Sequence, residues 1–132
     1  MKKAEDDKPL VARSAAGLGV RIPTDIAPAE NGAVLPKSGG MSVAPSLKDL
    51  PLQLIPRRLR ALVPDATGRN SGFVWTMGAG PFEEGPVAEN LMLRPDRTDH
   101  GTVQPAQTMP LQTYEESLAA TRDQWGLDEG GG

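Results

Sequence analysis

The chain has 132 residues, with 14 Lys and Arg against 17 Asp and Glu and a net charge of −3. Its length holds one domain, and 15 Gly with 13 Pro interrupt the backbone too often for a helical bundle or coiled coil. The absence of Cys and the single His exclude disulfides, thiolate chemistry, Cys-ligated zinc and a His-rich metal site.

Residues 1–8 are charged and aperiodic, which predicts a tail. One domain is expected over 9–126, with a second tail at 127–132. Leu10 to Ala15 reads as a short strand between Pro9 and Gly17, and Val20 to Ile22 as a further extended piece. Residues 23–41 contain three Pro, three Gly and the pair Asn31-Gly32, a signature of turns and loops. Met41 to Ala44 predicts a strand that emerges from Gly39-Gly40. Pro45, Pro51 and Pro56 then leave room only for single helical turns, around Leu47 to Leu50 and Arg57 to Leu62.

Residues 64–72 read as a surface loop. Phe73 to Met77 is the clearest strand, aromatic and β-branched between two glycines. Two more strands are predicted at Leu91 to Arg94, ending before Pro95, and at Gly101 to Pro105. A helix is expected over 110–125. Thr108 can cap it, and Pro110 suits its first turn. Leu111, Tyr114, Leu118, Thr121 and Trp125 form one stripe along it, and Gly126 stops it. Trp75 and Trp125 are expected in the core. The fold class is α+β: a small single domain with a short-stranded, mixed, bent sheet, long loops and one C-terminal helix.

Charge divides unevenly along the chain. Residues 1–72 carry 11 Lys and Arg with 7 acids, and residues 73–132 carry 3 Arg with 10 acids. Such a split predicts complementary faces that meet within the fold or across an interface. It lacks the basic excess of a nucleic-acid binder. No apolar run approaches the roughly 18 residues of a membrane span, and no apolar stretch behind Met1-Lys2-Lys3 marks a secretory signal. A soluble, cytoplasmic protein without nucleic-acid, membrane or metal partners is expected.

Several common sites are missing. Gly78-Ala79-Gly80-Pro81 places a proline where a dinucleotide-binding turn would begin its helix, and no G-x-S-x-G accompanies His100. His100 stands at a turn before a strand, where its ring either bonds a backbone carbonyl or lines a cleft and orients a ligand. Arg13 interrupts an apolar stretch, so it faces solvent at an edge, or it is paired or lines a cleft. Gly39-Gly40 ahead of Ser42 makes a tight turn or lets backbone approach a ligand. Arg57, Arg58 and Arg60 form a solvated turn or an anion or acidic-partner site.

The order of these pieces resembles a known family. Val11-Ala12-Arg13-Ser14 comes first, then Gly39-Gly40-Met41-Ser42-Val43, then Val74-Trp75. The segment from Gly85 to Asp96 follows, with Leu91, Leu93, Arg94 and Asp96, then His100-Gly101-x-Val103-x-Pro105 and Met109 to Trp125. Together they are similar to the small toxins of the type-six-secretion exported effector two family, which have an ADP-ribosyltransferase-like fold. The similarity spans roughly residues 10–125.

The resemblance implies NAD as substrate and a cognate immunity protein or antitoxin as partner. It puts Arg13 at the NAD phosphates or ribose, Ser42 (with Gly40) on the nicotinamide side, Gln104 at the ribose and His100 beside the ligand. Gln104 stands where these folds carry a late acid, and an amide cannot stabilise a developing ribose cation by charge. Glu83, Glu84 and Glu89 have no assigned role. A different reading is a non-catalytic module that docks a protein through its charge-split, loop-rich surface. Convergence of Arg13, Ser42 and Gln104 on one cleft separates the two.

Overall fold

A computed structural model describes residues 1–14, 17–77, 82–127 and 129. Its centre is the antiparallel hairpin of β5 (Leu91–Arg97) and β6 (His100–Pro105). β4 (Gly85–Ala88) pairs with β5 and β2 (Met41–Val43) with β6, giving the order β2-β6-β5-β4. Two small ribbons flank this sheet. One joins β1 (Ala33–Val34) to β7 (Met109–Pro110), the other β3 (Trp75–Met77) to β8 (Trp125–Leu127).

The expected sheet was mixed, but every ladder between these strands is antiparallel. Short turns explain it for β4-β5-β6, since parallel neighbours need a crossover of a dozen residues or more. β5 also runs through Pro95 rather than stopping before it. The register of β4 ends at Gly85 opposite Leu93, so beyond Leu93 no strand among the described residues pairs with that edge of β5. A proline without an N–H is tolerated there.

Side chains alternate across strands, which assigns two faces to the sheet. Met41, Leu91, Leu93 and Val103 point one way and are buried. The helix α1 (Leu111–Ala119) covers this side with Tyr114 and Leu118, both buried in one cluster with Met41, Leu91 and Val103. The Tyr114 hydroxyl donates to the Val103 carbonyl at 2.5 Å and accepts from the Met41 N–H at 3.2 Å. Ile55, Val63 and Ala66 form a second small core, closed by 3-10 turns at Leu47–Asp49, Leu52–Leu54 and Arg57–Leu59.

α1 is shorter than the expected 110–125. It begins after Pro110 with no side-chain cap from Thr108, and a 3-10 turn at Arg122–Gln124 follows. The Thr121 hydroxyl bonds the Leu118 carbonyl at 2.6 Å and accepts the Trp125 indole N–H at 2.9 Å. The last turn tightens, and the backbone of Trp125 is released to pair with Met77. Trp75 and Trp125 are half-buried at the rim rather than in the core.

The predicted strand at Leu10 to Ala15 reduces to one bridge, Val11 to Leu18. The chain turns back because Gly19 lies against the Ala12 carbonyl, where a Cβ would collide. Residues 1–8, expected as a tail, are held in place. The Met1 amine donates to the Phe73 carbonyl at 2.8 Å, and the Met1 carbonyl accepts the Trp75 indole N–H at 2.8 Å. Arg122 grips both oxygens of Asp6 and reaches the Pro9 carbonyl.

The charge asymmetry is met in part within the chain. Lys8, Arg13 and Arg58 of the basic half pair with Asp123, Glu115 and Glu129 of the acidic half. Arg58 also bonds the Asn70 and Gly72 carbonyls, and Arg60 the Ala66 carbonyl. Two of the three clustered guanidiniums are thus engaged with the chain itself. Gly78 to Pro81, Ala15 and residues 128 and 130–132 of the expected tail lie outside the described residues. Among the described residues no helix is long and apolar enough to cross a membrane.

Candidate functional site

The sheet face opposite α1 is polar. On β6 it carries His100, Thr102 and Gln104, the residues that alternate with Gly101, Val103 and Pro105. Ser42 of β2 and Arg94 of β5 both stand opposite Thr102. Directly opposed residues place their Cβ atoms about 5 Å apart. Arg94, Thr102 and Ser42 therefore form one row across three strands, with Gln104 and Met92 in the adjacent row.

Gln104 is buried and uses both ends of its amide. Its oxygen accepts the Lys37 backbone N–H at 2.8 Å, and its nitrogen donates to the Thr102 hydroxyl at 2.9 Å. The Lys37 donor fixes which end of the amide is oxygen. Lys37 has φ 65°, a left-handed conformation that costs a non-glycine residue about 1 kcal/mol. Gln104 therefore ties the loop before β2 down onto β6.

Gly40 lies beneath that loop and is buried. A Cβ there would run into the Val103 carbonyl, and the Gly40 N–H donates to the Asp25 carbonyl at 3.0 Å. Gly39, at φ 122°, passes equally close to Asp25. The close approach that glycine permits is made to the chain's own backbone.

Arg94 is the cation on this face. Its Nη1 donates to Glu84 at 2.8 Å, while its Nε is buried with no hydrogen-bond partner among the described residues. Sequence reasoning names Arg94 only within a motif, with no role, and does not name Thr102. The alternation of Leu91 and Leu93 with Met92 and Arg94 is the signal that finds Arg94, since it turns a guanidinium away from the core.

His100 stands on the same face at the hairpin end, about 13 Å along the strand from Gln104. Its Nδ1 lies 2.7 Å from Asp96 Oδ1 rather than at a backbone carbonyl. That hydrogen bond, ahead of the charge of Arg97, holds the Asp96 carboxyl below its usual range.

Arg13 is not gathered with Ser42 and Gln104. Its Nε and Nη2 meet Glu115 Oε2 and Oε1 at 2.5 and 2.6 Å. Glu115 belongs to α1, which covers the other side of the sheet. Of the three residues, the fold brings two together, Ser42 and Gln104, through Thr102. Among the described residues no group of three or more His, Asp or Glu side chains could hold a metal ion.

No characterised protein and no solved structure matches the chain. The sequence profile described as "Tse2 ADP-ribosyltransferase toxin" matches residues 3–125. That interval contains all four strands of the central sheet, α1, and Arg13, Gly40, Ser42, His100 and Gln104. On that match over nearly its whole length, the chain belongs to the Tse2 ADP-ribosyltransferase toxin family.

Proposed function

We propose that this protein is a toxin that acts in the cytoplasm of a target cell and consumes NAD at the polar sheet face. The observation that carries the reading is the meeting of Ser42 and Gln104, from separate strands, around Thr102. Hydroxyls, an amide and a guanidinium suit the ribose hydroxyls, carboxamide and phosphates of a dinucleotide. Cleavage of the bond from ribose to nicotinamide supplies the ADP-ribosyl group for transfer. In this reading Ser42 supports the nicotinamide side and Gln104 faces the ribose. Gln104 offers a dipole there rather than a charge, and His100 borders the far end of the face.

The N–H groups of Gln104 reach the Thr102 oxygen, which leaves the Thr102 O–H proton free to donate outward. Gln104 therefore positions a donor as well as the loop at Lys37. Arg13 acts in this scheme as a tie between the N-terminal segment and α1. The docking-module alternative loses part of its support, because ion pairs within the chain join its basic and acidic halves. A cognate immunity protein that neutralises the toxin is part of the proposal.

Inducible expression in a bacterial host, with growth and intracellular NAD followed together, tests the function. Arrest with loss of NAD, relieved by Ser42→Ala, is expected. Unchanged growth and NAD on expression of folded protein would sink the reading.

A further inference from the structure

Residues 46–70 gather into a lobe around the second small core. The Thr67 and Gly68 N–H groups close it by donating to the Leu52 and Ile55 carbonyls. Of the eight Leu, Ile and Val residues in this segment, only Ile55 and Val63 are buried. Leu52, Leu54 and Leu62 are 43, 41 and 42% exposed. Single exposed leucines are ordinary on a surface, whereas several on one small lobe mark a contact.

The same lobe is basic. It carries five Lys and Arg against two Asp, while the rest of the chain carries nine against fifteen acids. Lys48, Arg57, Arg60 and Arg69 are exposed, and none has a carboxylate within ion-pair distance among the described residues. Arg60 gives its Nε to the Ala66 carbonyl, which leaves its charge unmatched.

Aliphatic side chains beside unpaired cations select among partners. Single-strand nucleic-acid binders stack bases on aromatic rings, and residues 46–70 contain none. Protein hot spots favour Trp, Tyr and Arg in pockets, with Leu under-represented. The clefts beside Leu10 and beside Phe82 are lined by residues outside the lobe. Leucines with Lys and Arg match the boundary of an anionic bilayer, where acyl chains meet phosphates. We propose that the lobe of residues 46–70 docks on an anionic lipid surface, its exposed leucines entering the headgroup boundary and its unpaired cations meeting the phosphates. Docking at a surface needs no spanning run, so the expectation of no membrane partner, which rests on the lack of one, does not bear on it. The acidic remainder of the chain is repelled by the same surface, so the lobe meets it first. The docking rests on the lobe alone and stands apart from the NAD reading.

Co-sedimentation of the full chain with vesicles of equal phosphatidylglycerol and phosphatidylcholine tests it, with pure phosphatidylcholine vesicles alongside. Binding to the anionic vesicles alone is expected, and it should weaken as salt is added. A cation near such a surface contributes about fivefold in affinity, so Arg57→Gln with Arg69→Gln should weaken binding by roughly tenfold or more. Leu52→Ser with Leu62→Ser should weaken it by roughly fivefold or more. Arg97→Gln, on the β5–β6 hairpin outside the lobe, controls for loss of one positive charge and should bind as the unaltered chain does. Circular dichroism checks that each variant is folded; if the leucine pair is not, Leu54→Ser alone carries that arm.

No pelleting with anionic vesicles at low salt overturns the proposal, as does equal binding by the paired arginine variant. Salt-sensitive binding that is indifferent to the leucines overturns docking through them. A chain that ignores vesicles but sediments as a dimer, dissociated by the leucine substitutions, assigns the patch to a second copy and overturns the lipid surface.

Discussion

Arg13 and Glu115 meet in a two-point ion pair across 102 residues of chain. The hydrogen bond to Glu115, and secondarily its charge, raise the Arg13 pKa above its ordinary value. The Arg13 side chain is nevertheless 61% exposed, and water and salt screen such pairs strongly. Arg13→Ala and Glu115→Ala should therefore lower Tm by similar small amounts. The double variant should fall no further than either single one, and added salt should erase the difference. Thermal melts in low and high salt measure this. Clearly additive losses would mean that the two side chains act independently.

The Gln104 amide separates two roles that substitution can pull apart. Gln104→Leu orphans the Lys37 N–H and the Thr102 hydroxyl, which should cost about 1–2 kcal/mol in urea denaturation. Gln104→Glu keeps the acceptor for Lys37, and Thr102 can turn its proton toward the new carboxylate, so stability should stay close to the original. If Gln104 faces the ribose, that carboxylate also supplies the missing charge, and NAD turnover should rise by roughly tenfold or more. A folded Gln104→Glu protein with unchanged or lower turnover would place the ribose elsewhere.

What the sequence made legible is what local pattern determines. The run from Gly101 to Pro105 became part of β6, with Val103 on the core face and Gln104 buried on the opposite one. The stripe through Tyr114 and Leu118 likewise became the buried face of α1. Partners distant in the chain were not legible. Residues 1–8 look like a tail because nothing nearby holds them, yet Phe73, Trp75 and Arg122 do. The helix was overextended because Trp125 continues the stripe, although its backbone pairs with β3. The alternation along β5 turns Arg94 away from the core, but its neighbours Thr102 and Ser42 come from strands paired across the sheet.

Tyr114 is the chain's single tyrosine, and its hydroxyl bridges the Met41 N–H and the Val103 carbonyl at the start of β2. Phenylalanine fits the same space but leaves that buried donor and acceptor unmatched. Tyr114→Phe should cost about 2 kcal/mol with little change in far-UV circular dichroism. Burial, before any other influence, pushes the phenol pKa above its ordinary value. Absorbance titration should accordingly show no tyrosinate at the usual pH near 10, and ionisation only as the fold is lost. A normal titration in the folded chain would contradict the bridge.

The Met1 amine gives a pH dependence of defined sign. Burial lowers its pKa from 8.0 to about 6, so between those values the unfolded chain binds the proton and the folded chain does not. Stability therefore rises as pH increases from 6 to 8. It is free of the penalty above the unfolded value and carries the full penalty below the folded one. Two pKa units correspond to about 2.7 kcal/mol, and the solvent that reaches a half-buried residue reduces this to about 1–2 kcal/mol. Urea denaturation of the chain with a free Met1 amine, at pH 6, 7 and 8, should show the midpoint climbing with pH. Lys3 and Arg58 stack on Phe73, the residue that accepts the amine. A midpoint that falls or stays flat across it would mean that the amine keeps its proton in the fold.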